Sequence, residues 1–145
     1  MAKIEKSIEI EAPVEEVWPV VHWDRVTEWM DFIKNAEYTS EKHHEKGATA
    51  HVISEVAGQE TEFDTEYTDY VENERKSWRT TGGDMTAFGE VSLEPTEEGT
   101  KVNLSMDYEL PYSILGKIMD KLKVSKEMEK EYETALEKLK DMLEQ

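Results

Sequence analysis

The sequence of 145 residues contains no cysteine. This absence excludes disulfide frameworks, thiol nucleophiles, iron–sulfur clusters and thiolate zinc sites. Long apolar runs are also missing, since the longest are only a few residues and a membrane-spanning helix needs roughly 20. The segment from Met1 to Glu11 lacks the apolar stretch of a signal peptide. From these absences we expect a cytoplasmic protein without integral membrane association.

Positive charge is scarce, with 17 basic against 34 acidic residues and a formal net charge of -17. Such a chain repels nucleic acids and anionic membrane surfaces, so we expect no nucleic-acid partner. No glycine-rich phosphate loop precedes a helix, and none of the histidines has the i, i+4 spacing of a metalloprotease site. The sequence therefore predicts neither a metal site nor a cofactor, and His43 and His44 are assigned to a solvated loop.

Apolar residues share one parity near the start of the chain, at Ile4, Ile8 and Ile10. This period of two predicts a strand over about 3–11. Pro13, followed by two glutamates, is typical of a helix start, and later apolar spacing predicts two short helices across 13–33. From 36 to 110 the period returns to two, with glycine, asparagine and proline at hairpin intervals, so six further strands are predicted.

Pro111 ends the last predicted strand, and the apolar spacing is helical from there to the end of the chain. We predict one helix over 126–144, with a break at 123–125 and Ser125 as a candidate N-cap. At 1.5 Å per residue this helix spans roughly 28 Å, so it needs a wide apolar surface to lie on. The apolar face of the sheet is the candidate surface.

This order of elements is the α+β helix-grip arrangement, in which a seven-stranded curved antiparallel sheet carries two short helices after strand one and a long C-terminal helix across it. The chain resembles the START-like, SRPBCC superfamily, specifically its polyketide cyclase/dehydrase and lipid-transport branch. The residues that carry the resemblance are Ile8 to Trp18, Trp29, Gly99 to Val102, Leu115 to Lys117 and Ala135 to Lys140. It implies a single START-like ligand-binding domain over 1–145 and carries over no catalytic residue.

The resemblance also implies a cavity between sheet and helix that holds a small hydrophobic molecule, such as a lipid or a polyketide. Side chains of inward parity on the predicted strands and helix are the candidate ligand-binding residues: Phe63, Thr65, Tyr67, Trp78, Met106, Tyr108, Met119 and Leu122. Methionine and aromatic side chains suit adaptable apolar pockets. The alternative for each of them is ordinary core.

Asp69 is a weak candidate for acid–base chemistry. It shares parity with Phe63 and Tyr67, and points inward if the strand register holds. An inward carboxylate could orient a ligand hydroxyl or act as a general base. The favoured alternative is a solvated position at the end of the strand, near the turn at Asn73.

His51 is the second weak candidate for an acid or a base. Its neighbours Ala50 and Val52 are apolar, so we expect the imidazole on the solvent side of its strand. The outer face of the next strand is acidic, and its carboxylates are expected to pair with Arg79 or Lys76 on the following strand.

Three functions remain open from the sequence. The leading one is a non-catalytic carrier or sensor of a small hydrophobic molecule, and the second is a cyclase- or dehydratase-type enzyme that uses polar groups inside the cavity. The third is an acidic module that docks a basic protein. An enzyme needs at least two polar groups close together inside, whereas a carrier tolerates one. The sequence does not indicate an oligomeric state.

Overall fold

The computed structural model describes residues 1–110 and 121–145. Its seven strands are β1 Ala2–Ile10, β2 Ile33–Tyr38, β3 Thr49–Val56, β4 Gln59–Val71, β5 Arg75–Gly83, β6 Thr86–Pro95 and β7 Thr100–Glu109. They form one sheet in the order β1-β7-β6-β5-β4-β3-β2, with every neighbouring pair antiparallel. The predicted number of strands and their antiparallel arrangement are confirmed.

Helical structure between β1 and β2 is shorter than predicted. Helix α1 covers only Val14–Val17, after Pro13, and two 3₁₀ turns follow at Trp18–Val21 and Val26–Glu28. Ile33, predicted to be helical, instead begins β2 and pairs with Ser54. The short turns fold the chain back over one end of the sheet, which buries the tryptophans of this segment in the core.

The long helix α2 covers Lys121–Leu143 and continues through 123–125 without the predicted break. Ser125 lies inside the helix rather than at its N-cap, and its hydroxyl is 3.2 Å from that of Tyr108. The buried side chains of the helix recur at helical spacing and are Val124, Met128, Tyr132, Ala135, Leu136 and Leu139. The predicted apolar stripe is therefore confirmed. The helical pattern predicted for 112–120 lies outside the described residues.

Polar contacts at the edges of α2 add to the apolar packing between this helix and the rest of the protein. Lys6 pairs with Glu133 at 2.8 Å, and Lys138 pairs with Asp31 at 2.7 Å. Exposed ion pairs of this kind contribute only about 0–1 kcal/mol each, so the apolar seam carries most of the stabilisation. Within the described residues no helix combines the length and apolar character needed to span a membrane.

Candidate functional site

A cavity remains where α2 crosses the inner face of the sheet. The side chains around it are mostly apolar and come from β2 to β7, the 21–32 segment and α2. Its polar members are Ser54, Lys76, Glu90, Ser105 and Glu131. Between the described residues it has a volume of about 70 Å³. One buried water needs about 10–15 Å³, whereas pockets for drug-sized ligands measure about 300–1,000 Å³. At this volume the cavity suits a small molecule rather than a lipid-length chain.

Three of the predicted ligand-binding residues, Phe63, Trp78 and Met106, lie along this cavity. Whether they touch a ligand stays a prediction. Thr65 and Tyr108 face inward and are buried, but they belong to the surrounding core and do not line the space. Met119 lies outside the described residues.

Leu122 corrects the sequence prediction, because 65% of its surface is exposed. Its predicted position assumes that apolar residues at helical spacing from 114 to 122 all face the sheet. The buried side chains of α2 instead lie on the face that carries Val124 and Met128, and Leu122 lies on the solvent-exposed side of the helix. Tyr67 was also predicted to line the cavity; it is buried, but it is not one of the residues of the cavity wall.

Lys76 is the unexpected polar group of the cavity wall. It was predicted on the outer face of the sheet, yet it lines the cavity with only 3% of its surface exposed. Its ammonium donates to the backbone carbonyl of Val21 and to the Tyr67 hydroxyl at 3.3 Å, and it lies 3.2 Å from Nδ1 of His22. Burial lowers the pKa of Lys76 from 10.5 to about 7, although the charge of Asp24 opposes the shift.

A chain of hydrogen bonds leads from Lys76 to the surface. The Tyr67 and Tyr38 hydroxyls are 3.1 Å apart, and Tyr38 donates to the carboxylate of Asp24 at 2.8 Å. Because the Tyr38 hydroxyl donates its proton to Asp24, it must accept the hydrogen bond from Tyr67. The direction of donation along the chain is therefore Lys76 to Tyr67 to Tyr38 to Asp24. Burial, and nearby negative charge to a lesser degree, raise the pKa values of both tyrosines. The hydrogen bonds add to this rise for Tyr38 and oppose it for Tyr67, and both hydroxyls stay protonated at neutral pH.

The outer end of this chain is covered by the loop between β2 and β3. Nε2 of His44 is 3.0 Å from the Asp24 carboxylate, and the ring of His43 stacks on Tyr38 with centroids 4.1 Å apart. Although burial opposes it, the hydrogen bonds from His44 and Tyr38 hold the pKa of Asp24 below its usual value. The two histidines lie in an exposed loop, as predicted, and also contact Asp24 and Tyr38 next to the site.

A second arm of hydrogen bonds starts at His22. Nε2 of His22 is 3.3 Å from the Tyr70 hydroxyl, which also accepts a bond from the indole N–H of Trp18 at 3.2 Å. Burial, with the charge of Lys76 as a further cause, lowers the pKa of His22 from 6.5 to about 3, so its ring is neutral. The two arms together, named here the polar cluster, comprise Lys76, His22, Tyr67, Tyr70, Tyr38, Asp24 and His44.

The neutral His22 ring can serve either protonation state of Lys76. With a neutral amine, Nδ1–H of His22 donates to the lysine lone pair, and Tyr70 donates to Nε2. With an ammonium, Nδ1 accepts the third N–H of Lys76, and Nε2–H donates to Tyr70 instead. The polar cluster is therefore built to hold Lys76 both with and without its proton.

The two weak acid–base candidates lie on the outer face of the sheet. His51 is 2.9 Å from Asp64, and this hydrogen bond raises its pKa. Asp69 pairs with Arg75 at 2.9 Å instead of pointing inward. A β-bulge between Tyr67 and Asp69 reverses the parity of β4, and this places Tyr70 inside.

Sequence reasoning missed the polar cluster, although one signal was available. Lys76 shares parity with Trp78, which was predicted to face inward, so the same alternation places the lysine inside. Of the two basic residues predicted to pair with carboxylates on the outer face, only Arg79 does so, and it lies 3.6 Å from Glu66. No sequence pattern predicts the inward position of Tyr70, because the alternation before the β-bulge does not show that a bulge follows.

Gly89 fixes the position of Trp78 at the cavity wall. A Cβ at Gly89 would lie 2.6 Å from the backbone oxygen of Ser105 and 3.0 Å from the Trp78 ring. Both distances are shorter than van der Waals contact. Trp78 therefore packs directly on the backbone of β6, where only a residue without a side chain leaves room for it.

Gly89→Ala is expected to lower the free energy of unfolding by about 1–3 kcal/mol, because strand β7 or the Trp78 ring must move aside. Urea denaturation followed by tryptophan fluorescence measures the change. Gly82→Ala is the matched control, since a Cβ there meets only a carboxylate oxygen of Asp64 at 3.8 Å. Equal effects of the two substitutions would contradict this description of the wall.

Comparison with known proteins adds family relationships to this geometry. A family model described as "polyketide cyclase / dehydrase and lipid transport" matches residues 1–144. An uncharacterized 17.2 kDa protein of Streptomyces lincolnensis is 31% identical over 118 residues, which cover 81% of this chain and 75% of that protein.

Solved structures share the fold at lower identity. A Thermus thermophilus protein superimposes with a TM-score of 0.81 at 21% identity, covering 98% of this chain and 97% of the other. A START superfamily protein from Mycobacterium smegmatis gives a TM-score of 0.71 at 20% identity, covering 97% and 98%. At these identities the likeness concerns the fold alone. Because the family model spans nearly all of the sequence, the chain belongs to the polyketide cyclase/dehydrase and lipid-transport family, with a START-like helix-grip fold.

Proposed function

We propose that the protein binds a small hydrophobic molecule in the cavity between the sheet and α2, as a carrier or a sensor. The observation that carries the proposal is the cavity itself, whose walls are apolar apart from a few groups such as Lys76. A preformed apolar space with few polar groups is the usual form of a small-molecule site. The family relationship supports the same conclusion, since its description includes lipid transport.

The volume of the cavity limits the ligand. About 70 Å³ admits a molecule near the size of one substituted aromatic ring only if the walls yield slightly. A longer lipid or polyketide requires α2 or the 21–32 segment to move away from the sheet. Toluene is therefore a suitable first probe, because it is apolar, small and transparent at the excitation wavelength of tryptophan.

Toluene is expected to change the fluorescence of Trp23 and Trp78, which line the cavity, in a saturable manner. Ala87→Leu fills the space from β6 and is expected to weaken binding at least tenfold, about 1.4 kcal/mol. Thr86→Leu, on the exposed face of the same strand, is the control and should bind as the wild type does. Failure to saturate, or equal binding by all three proteins, would overturn the proposal.

An enzyme of the cyclase or dehydratase kind is a second candidate, and the polar cluster favours it. His22 and Tyr67 both lie within hydrogen-bonding distance of the Lys76 amine, next to the cavity. A carrier needs only one such group, whereas proton transfer to and from a substrate needs several. Native mass spectrometry separates the two functions: a ligand recovered unchanged supports a carrier, and a ligand converted on incubation supports an enzyme.

A further inference from the structure

Lys76 is a buried cation without a negative partner. Its amine meets a carbonyl, an imidazole and a phenol, and no carboxylate of the described residues forms an ion pair with it. The nearest link to a negative charge, at Asp24, passes through two tyrosine hydroxyls. Burying an ammonium in this way is costly, because desolvation is offset only by neutral dipoles.

Lys76 is one of the residues of the cavity wall, so a ligand in the cavity lies next to this unpaired residue. Trp23 and Trp78 line the space beside it, and the ammonium lies 5.9 Å from the centre of the Trp23 ring. Ser54, a second polar residue of the wall, has its hydroxyl 2.6 Å from that of Thr61 and is thus satisfied. The other polar residues of the wall are the half-buried Ser105 and the exposed Glu90 and Glu131. Lys76 is therefore the buried charged group of the described wall, and it gains most from a new partner.

Two of the contacts made by Lys76 are weak enough to be exchanged. The distances to His22 and Tyr67 are 3.2 and 3.3 Å. A bond between an ammonium and a carboxylate is shorter, about 2.7–2.9 Å, and roughly twice as strong as a bond between neutral groups. A carboxylate oxygen that enters from the cavity can replace either contact and supply the charge that the site lacks.

We infer that the preferred ligands are small apolar carboxylic acids, with the hydrocarbon in the cavity and the carboxylate paired to the ammonium of Lys76. The inference rests on the proposed function, because it requires that the cavity admit a ligand. It adds the chemical class of that ligand and the residue that selects it.

Proton uptake follows from this pairing. Because the pKa of Lys76 is about 7, part of the protein holds a neutral amine above neutral pH, and a bound carboxylate favours the ammonium. The other titratable groups around the amine and along the cavity wall are His22, Tyr67, Tyr70, Tyr38, Tyr132, Asp24, His44, Glu90 and Glu131. His22 and the tyrosines are neutral near this pH, and both glutamates are exposed. Asp24 and His44 pair with each other at the outer end of the hydrogen-bonded chain, so Lys76 is the group next to the ligand that is expected to take up the proton.

Benzoate and benzamide test the inference, because they share a shape and differ in charge. Titration calorimetry at about pH 8, in two buffers of different ionisation enthalpy, measures both affinity and proton uptake. Wild-type protein is expected to bind benzoate at least tenfold more tightly than benzamide and to take up close to one proton per benzoate. Lys76→Met should lose this preference, whereas Lys101→Met, the same substitution at the outer face of β7, should keep it.

Each outcome bears on a separate claim. Equal affinity for benzoate and benzamide in the wild type would overturn the inference, and so would benzoate binding without proton uptake. In either case saturable binding of toluene would leave the proposed function intact. Absence of binding by toluene and both probes removes the proposed function as well. The proton-uptake measurement uses the wild-type protein, so it decides the matter even where Lys76→Met fails to fold.

Discussion

Leu139→Ala is expected to lower the free energy of unfolding by about 2–5 kcal/mol, the range for large-to-small changes in a well-packed core. Leu139 has none of its surface exposed and lies on the stripe by which α2 packs on the sheet. Removing its side chain leaves a void at the seam that holds the helix. Urea denaturation at constant pH measures the change.

Leu122→Ala is the matched control, because it makes the same change on the same helix. Leu122 is mostly exposed, so its truncation should alter stability by no more than about 0.5 kcal/mol. Comparable losses at both positions would mean that α2 is rotated about its axis relative to this description. A small loss at Leu139 alone would mean that the helix does not pack on the sheet there.

Lys76→Met is expected to change how stability depends on pH. The folded pKa of about 7 lies below the unfolded value of 10.5, so between these values the unfolded chain binds a proton that the folded protein has lost. The wild type therefore gains stability relative to the variant as pH rises through this window, at up to about 1.4 kcal/mol per pH unit. Below about pH 7 both states hold the proton and the contribution is flat.

The measurement is urea denaturation of wild type and variant at several values from about pH 6 to pH 9. The difference in unfolding free energy should grow by roughly 2–3 kcal/mol between about pH 7 and pH 9. Lys101→Met, at the outer face, should show no such growth. A constant difference for Lys76→Met would indicate that the amine keeps its proton throughout. The unpaired groups left around Met add a cost that does not vary with pH, so only the slope is diagnostic.

The fold was predictable because it depends on repeated patterns. Alternation along the strands, such as Val102, Leu104 and Met106, and the helical spacing through Leu139 each recur over many residues. A single misjudged residue does not alter such a pattern. The short helical segment at 14–28 was less predictable, since three- and four-residue turns hold too few residues to show a period.

The site was less predictable because it depends on single positions. A lysine on an amphipathic strand is usually exposed, and that expectation outweighed the parity that Lys76 shares with Trp78. The bulge that brings Tyr70 inside and turns Asp69 out depends on the pairing of β4 with β5, which no local pattern contains. The approach of His22 to Lys76 joins residues 54 positions apart, so it follows from the folded topology alone.

The proposed ligand class depends on the position of Lys76, which is buried beside the cavity with no ion-pair partner among the described residues. A pH titration of the lysine side chains, followed by NMR through the carbon next to each amine, tests it directly. One signal, absent from Lys76→Met, should titrate near pH 7 in the native protein and move to higher pH when benzoate is bound. Titration of the Lys76 signal near the ordinary lysine value of 10.5 would contradict the account.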